Sequence, residues 1–167
     1  MSIRFNAYEV FLMAETMERN ASAFYRRAAE LHPNEHNQQF LQKLAGMEDG
    51  HLVIFKALRA KLAPTAKEET AYDPFNESLM YLEAMAETQK AEGSPEARAA
   101  LTGKETMEQI LRLAVQLEGR AILFYAGIRD LVPEKLGRDK VDDILREEKS
   151  HVVLLSGELK TLLQAKK

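Results

Sequence analysis

Apolar residues recur at helical spacing in four stretches of the chain, and each stripe is interrupted at its middle by acids or by an acid and a histidine. Residues 5 to 31 carry Ala7, Phe11, Ala14, Ala21, Tyr25 and Ala28 on one face, with Glu18 in a slot where an apolar residue belongs. Residues 34 to 62 carry Leu41, Leu44, Phe55, Leu58 and Leu62, with Glu48 and His51 filling the two central slots. Residues 104 to 131 run Met107, Leu111, Ala114, Ala121, Tyr125 and Ile128 around Glu118. Residues 136 to 163 run Val141, Ile144, Val152, Leu155, Leu159 and Leu162 around Glu148 and His151. The spacing predicts four amphipathic helices with polar groups facing a shared core. Asn6-x-x-Glu9 and Thr102-x-x-Glu105 read as capping boxes that open the first and third.

The polar interruptions repeat. Glu48-x-x-His51 and Glu148-x-x-His151 place an acid and an imidazole one helical turn apart on the same face, a spacing at which both can grip one ion. Glu18-x-x-Ala21-x-x-Phe24-Tyr25 precedes the first and Glu118-x-x-Ala121-x-x-Phe124-Tyr125 precedes the second. Residues 11 to 59 and 111 to 159 match at Ala14, Glu18, Ala21, Phe24, Tyr25, Leu31, Pro33, Glu48, His51 and Val53, each at an offset of 100. Pro33 and Pro133 stand midway between the acids of each half. If each marks a tight turn, the paired acids meet at the same height, roughly 22 Å from the turn at about 1.5 Å of rise per residue.

Between the second and third stripes lie about forty residues of different character, punctuated by Pro64, Asp73-Pro74 and Gly93-Ser94-Pro95. Such a link suits a crossover running the length of a bundle. Within it Glu77 to Lys90 has apolar spacing for a short extra helix, and its apolar residues could also serve an oligomer contact. The expectation is an all-α four-helix bundle, residues 1–167 as one domain, made of two antiparallel hairpins joined by the crossover.

Composition narrows the chemistry. Without cysteine there is no disulfide framework and no thiolate ligand, and a net charge of -3, evenly interspersed, argues against nucleic-acid or membrane-surface binding. No stretch approaches the ~20 apolar residues of a membrane span, and no export signal is recognised at the start, so a cytoplasmic location is expected. Four buried carboxylates would repel one another unless positive charge compensates, and none of the four stripes contains Lys or Arg. Two divalent cations would balance the four acids while both imidazoles stay neutral. Oxygen-rich donors with imidazole and no sulfur suit iron first, with manganese or zinc as other occupants.

The paired motifs resemble the ferritin-like di-iron carboxylate superfamily, and within it most the rubrerythrins, over nearly all of the chain except the crossover; the constellation is a known one for that class. The resemblance implies Glu48 and Glu148 as bridging ligands, Glu18 and Glu118 as terminal ones, and His51 and His151 each capping one of two irons. It implies an oxidoreductase of oxidative-stress chemistry, a peroxidase or ferroxidase acting on hydrogen peroxide or oxygen, in a homodimer. Two alternatives stay open: an iron-handling or storage protein, and a bundle whose metal is structural and whose function is partner binding.

Two departures qualify the resemblance. Rubrerythrins typically carry a further acid three residues after the terminal one of the third helix, where this chain has Ala121, so their ligand-switching peroxidase mechanism is not implied. Their cysteine-rich electron-supplying domain has no counterpart in this cysteine-free sequence, so electrons are expected from an external donor protein. Glu15 offers a substitute acid, set against its reading as a solvated residue. Tyr25 and Tyr125 read either as hydrogen-bond donors to ligands of the facing helix or as core residues. Asp49, Glu147, His32 and His36 read as surface.

Overall fold

A computed structural model describes residues 7–61, 80, 101–130, 132 and 134–165. Four long helices account for most of them: α1 (Ala7–Leu31), α2 (Glu35–Lys61), α3 (Met107–Arg129) and α4 (Arg138–Gln164), with a 3-10 turn at Glu134–Leu136 ahead of α4. The predicted stripes form the core. Phe11, Ala14, Tyr25, Leu41, Leu44, Phe55, Leu111, Ala114, Tyr125, Ile128, Val141, Ile144 and Leu155 are all fully buried. Ala21, Ala121, Val152, Leu159 and Leu162 sit at the margins, half-buried.

Cross-helix contacts give the topology. Glu15 pairs with Arg59 and Ser22 with Asp49, so α1 and α2 are antiparallel. Arg129 of α3 meets Asp142 of α4, which makes the second hairpin. Tyr25 reaches Glu118 and Tyr125 reaches Glu18, so α1 and α3 are antiparallel, and pairing of 51 with 148 and 48 with 151 makes α2 and α4 antiparallel. Two hairpins thus face each other, and the middle of each helix lies at the same level of the bundle. On either side of that level the core divides into two apolar clusters, one around Phe11, Phe55, Phe124 and Tyr125 and one around Phe24, Tyr25, Leu41 and Leu111.

The boundaries follow local chemistry. Asn34 accepts from Asn37 N at 3.0 Å and opens α2, while Gln38 donates to the His32 carbonyl at 2.7 Å, so half-buried His32 belongs to the turn and only His36 is exposed as expected. At α3 the capping box is Thr106 with Gln109, four residues later than the sequence reading. Thr102 and Glu105 do interact, at 2.7 and 3.0 Å, but as a separate turn in which the Glu105 carboxylate also accepts from Gly103 N. The same pattern of a hydroxyl followed by Glu or Gln occurs twice in a row, and the second copy caps the helix. Gly137 enters α4 at φ 108°, a left-handed conformation, with its missing Cβ position 2.5 Å from Leu58 Cδ2, so no larger residue fits there without displacing Leu58. The Asn6 capping box, the turn at Pro133 and the crossover helix over 77 to 90 lie outside the described residues, apart from Met80, which is helical and exposed. Among the described residues, no helix is long and apolar enough to cross a membrane.

Candidate metal centre

Each helix contributes to the middle of the bundle the polar residues that interrupt its stripe. Glu18, Glu48, His51, Glu118, Glu148 and His151 are all at most 3% exposed. They form two groups, Glu18, Glu48, His51 and Glu148 in one, and Glu48, Glu118, Glu148 and His151 in the other, with one donor atom from each residue within 4.8 Å of the rest of its group. Glu48 and Glu148 belong to both. All six residues singled out in the sequence are therefore brought together, in an arrangement that mirrors the offset of 100.

Both imidazoles turn Nδ1 inward. His51 Nδ1 lies 2.9 Å from Glu148, 3.4 Å from Glu48 and 3.5 Å from Glu18. His151 Nδ1 lies 3.2 Å from Glu48, 3.2 Å from Glu148 and 3.7 Å from Glu118. The rings stack at 5.5 Å with 16° between their planes. Despite the short approaches, His51 Nδ1, His151 Nδ1, Glu48 Oε1 and both Glu148 oxygens have no hydrogen-bond partner among the described residues. These atoms aim at common points between them rather than at one another, which is how donor atoms surround an ion. Buried polar atoms are otherwise nearly always hydrogen-bonded.

The outer oxygens of the other two acids are held across the bundle. Tyr25 of the first hairpin donates to Glu118 of the second, and Tyr125 of the second donates to Glu18 of the first. Of the two readings open for the tyrosines, the hydrogen-bonding one is observed, and both rings are also core residues at 0% exposure. Burial, reinforced by the nearby acids, raises both phenols well above their ordinary value, so they remain donors.

Without cations the site manages its charge with protons. Burial lifts Glu18 well above the usual carboxyl range and Glu118 to about 8. Burial acts in the same direction on Glu48 and Glu148, but the adjacent imidazoles outweigh it and hold both low, Glu148 at about 2. For the histidines burial favours the neutral ring, yet contact with the acids prevails and raises His51 far above its ordinary value and His151 to about 12. The balance therefore favours charged imidazoles facing ionised Glu48 and Glu148, with Glu18 and Glu118 shifted toward their protonated forms. Two divalent ions would carry the +4 that releases all of these protons, and the donor set of oxygens and imidazoles fits such ions.

Three surface readings, of Glu15, Asp49 and His32, are corrected, while Glu147 is exposed as expected and yet meets a residue of the cluster. Glu15 is 1% exposed and ion-paired with Arg59, which donates to Tyr8 Oη at 2.8 Å and lies over the Tyr8 ring at 5.0 Å, so its carboxylate is held by a guanidinium one turn from the cluster. Asp49 accepts from buried Ser22 at 2.7 Å and pairs with Arg26, which together hold its carboxyl below the ordinary range. Glu147, 55% exposed, lies with Oε2 3.0 Å from His51 Nε2. His32 is the turn residue described above. Neighbouring ligands do point about 100° away from Glu147 on α4, but a Glu side chain is long, and antiparallel α2 brings the outer edge of His51 to it.

A scan of protein-family models gives no match, and a search of curated proteins gives none either. Among solved structures, a match is the crystal structure at 2.30 Å of a Thermotoga maritima protein described as a ferritin-like diiron-carboxylate protein. The two chains are 20% identical, with 96% of this chain and 98% of that chain covered and a TM-score of 0.65. At that identity the likeness is one of fold. The chain is a ferritin-like four-helix bundle with a buried carboxylate and histidine cluster at its centre.

Proposed function

We propose that the cluster binds two iron ions and that the chain is a rubrerythrin-like oxidoreductase, a peroxidase or ferroxidase that reacts with hydrogen peroxide or oxygen and takes electrons from an external donor protein. The observation that carries the reading is the pair of four-donor groups sharing Glu48 and Glu148. Those two residues would serve both positions, Glu18 with His51 would complete one, and Glu118 with His151 would complete the other. Iron held there in the ferrous state would supply the two electrons that, with two protons, reduce one hydrogen peroxide to two waters.

The chain's own residues set the conditions for that chemistry. Four carboxylates favour the higher charge of the oxidised ions, and burial of all six residues to at most 3% exposure keeps bulk water away. Tyr25 and Tyr125 fix the orientation of Glu118 and Glu18, so that each presents its other oxygen to the ion. Glu15 does not replace the acid missing at Ala121, because Arg59 already holds it.

The test is metal analysis of protein from iron-supplied cells, followed by stopped-flow oxidation with peroxide and with oxygen in parallel. About two irons per chain and oxidation by either oxidant are expected, with light scattering giving a small oligomer such as a homodimer. Two metals inert to both oxidants would overturn the oxidoreductase reading in favour of structural metal. A large hollow shell would instead indicate storage.

A further inference from the structure

We infer that Glu147 is a positioning residue that makes the two metal positions unequal, the one built on His51 binding its ion more tightly than the one built on His151. This rests on the two-metal reading above. His51 Nε2 is 3.0 Å from Glu147 Oε2, and an ionised carboxylate only accepts, so when the ring is neutral, as a ligand must be, the proton stays on Nε2 and the lone pair lies on Nδ1, facing the cluster. A carboxylate in this place fixes tautomer and ring angle and raises the basicity of the inward nitrogen.

His151 is placed the same way within the site, with Nδ1 inward, but its Nε2 is buried and has no hydrogen-bond partner among the described residues. The sequence gives the reason. Antiparallel α2 and α4 relate residue 51 to 147 as they relate 151 to 47, and position 47 is Met47, half-buried and packed against the apolar cluster of Leu41, Leu44 and Leu155. A thioether is at best a weak acceptor. The repeat that duplicates every ligand therefore breaks at the residue supporting the histidine. Losing such support costs roughly 10- to 100-fold in metal affinity. Because Glu147 is 55% exposed, the lower end of that range applies.

Titration of the metal-free full chain with Co(II), followed by calorimetry and by the visible absorption of the bound ion, tests this. Single-histidine variants isolate the positions: His151→Ala is expected to keep one ion at the parent's tighter affinity, and His51→Ala to keep one about tenfold weaker or more. Added to His151→Ala, Glu147→Ala lowers affinity about tenfold and shifts the cobalt spectrum, while Glu147→Gln, whose amide oxygen still accepts, recovers part of the loss. Added to His51→Ala, Met47→Glu tightens the remaining position. Equal affinity in the two single-histidine variants, or no change on Glu147→Ala, overturns the inference while leaving the two-metal reading intact. A parent protein that takes up no cobalt overturns both.

Discussion

Replacing Tyr125 by Phe removes one hydroxyl from the middle of the bundle and leaves the rest in place. The ring keeps its neighbours, Phe55 at 5.3 Å and Phe124 at 5.4 Å, so the packing contribution changes little. What is lost is the donor to Glu18. A hydrogen bond between neutral groups contributes about 0.5–1.5 kcal/mol, and one to a charged group about 1.5–3 kcal/mol. In metal-free protein burial shifts Glu18 toward its neutral form, so the smaller figure applies. With a cation bound Glu18 is ionised and the larger figure applies. The difference, roughly 1–1.5 kcal/mol, comes out of metal binding as an affinity about five- to tenfold lower. The metal-free variant should melt about 2–4 °C below the parent for each kcal/mol lost, given a chain of this size. Calorimetric melts of both forms, with chelator competition for the affinity, check it, and Tyr25→Phe should behave alike through Glu118. Equal destabilisation of both forms with unchanged affinity would refute the reasoning, because the hydroxyl would then be an ordinary core hydrogen bond.

Four further outcomes are expected. Metal analysis should find that Glu48→Ala and Glu148→Ala lose both ions, whereas Glu18→Ala and Glu118→Ala each retain about one, since only the first pair belongs to both donor groups. Metal-free protein should lose stability as pH rises from about 5 to 8: Glu118, raised from 4.5 to about 8, and His151, raised from 6.5 to about 12, hold protons in the fold that the unfolded chain has released. Melting temperature of chelated protein across that range checks the sign, and the metal affinity should change oppositely, rising over the same range as fewer protons compete for Glu and His. Glu15→Ala should cost about 2–3 kcal/mol in denaturant melts, less than the 3–5 of a fully buried broken pair because Arg59 is 27% exposed, with metal content unchanged. Gly137→Ala should destabilise by more than about 1 kcal/mol in the same melts, because a left-handed φ and the approach to Leu58 both oppose a Cβ.

The cluster was legible because its signal is doubled. A single Glu in an apolar stripe is ambiguous, but Glu18, Glu48 and His51 recur as Glu118, Glu148 and His151 at identical spacing, and helical periodicity alone puts all six inward. The tyrosines were half legible: the seven-residue spacing gave the face, and only the arrangement of the hairpins decided that each phenol serves the other half. The partners of Glu15, Asp49 and Glu147 were missed for one reason. Their environment depends on which side of their own helix a neighbour covers, and in each case a long or charged side chain of an adjacent helix reaches them: Arg59, Arg26 and His51. Arg59 and Met47 have no counterpart of their kind in the other half, so the repeat gave no second view of them.

The crossed phenols also bear on how the chain finds its structure. Each hairpin forms from neighbours in sequence, but Tyr25 with Glu118 and Tyr125 with Glu18 join residues 93 and 107 positions apart. Contacts that distant close late, after local helix pairing, because loop entropy opposes them until the hairpins dock. Docking is also the step at which four acids meet, so it carries an electrostatic barrier that protons or divalent ions lower. Refolding kinetics should then show a fast phase indifferent to metal and a slower one whose rate rises with metal concentration, making the ion a partner in the chain's assembly.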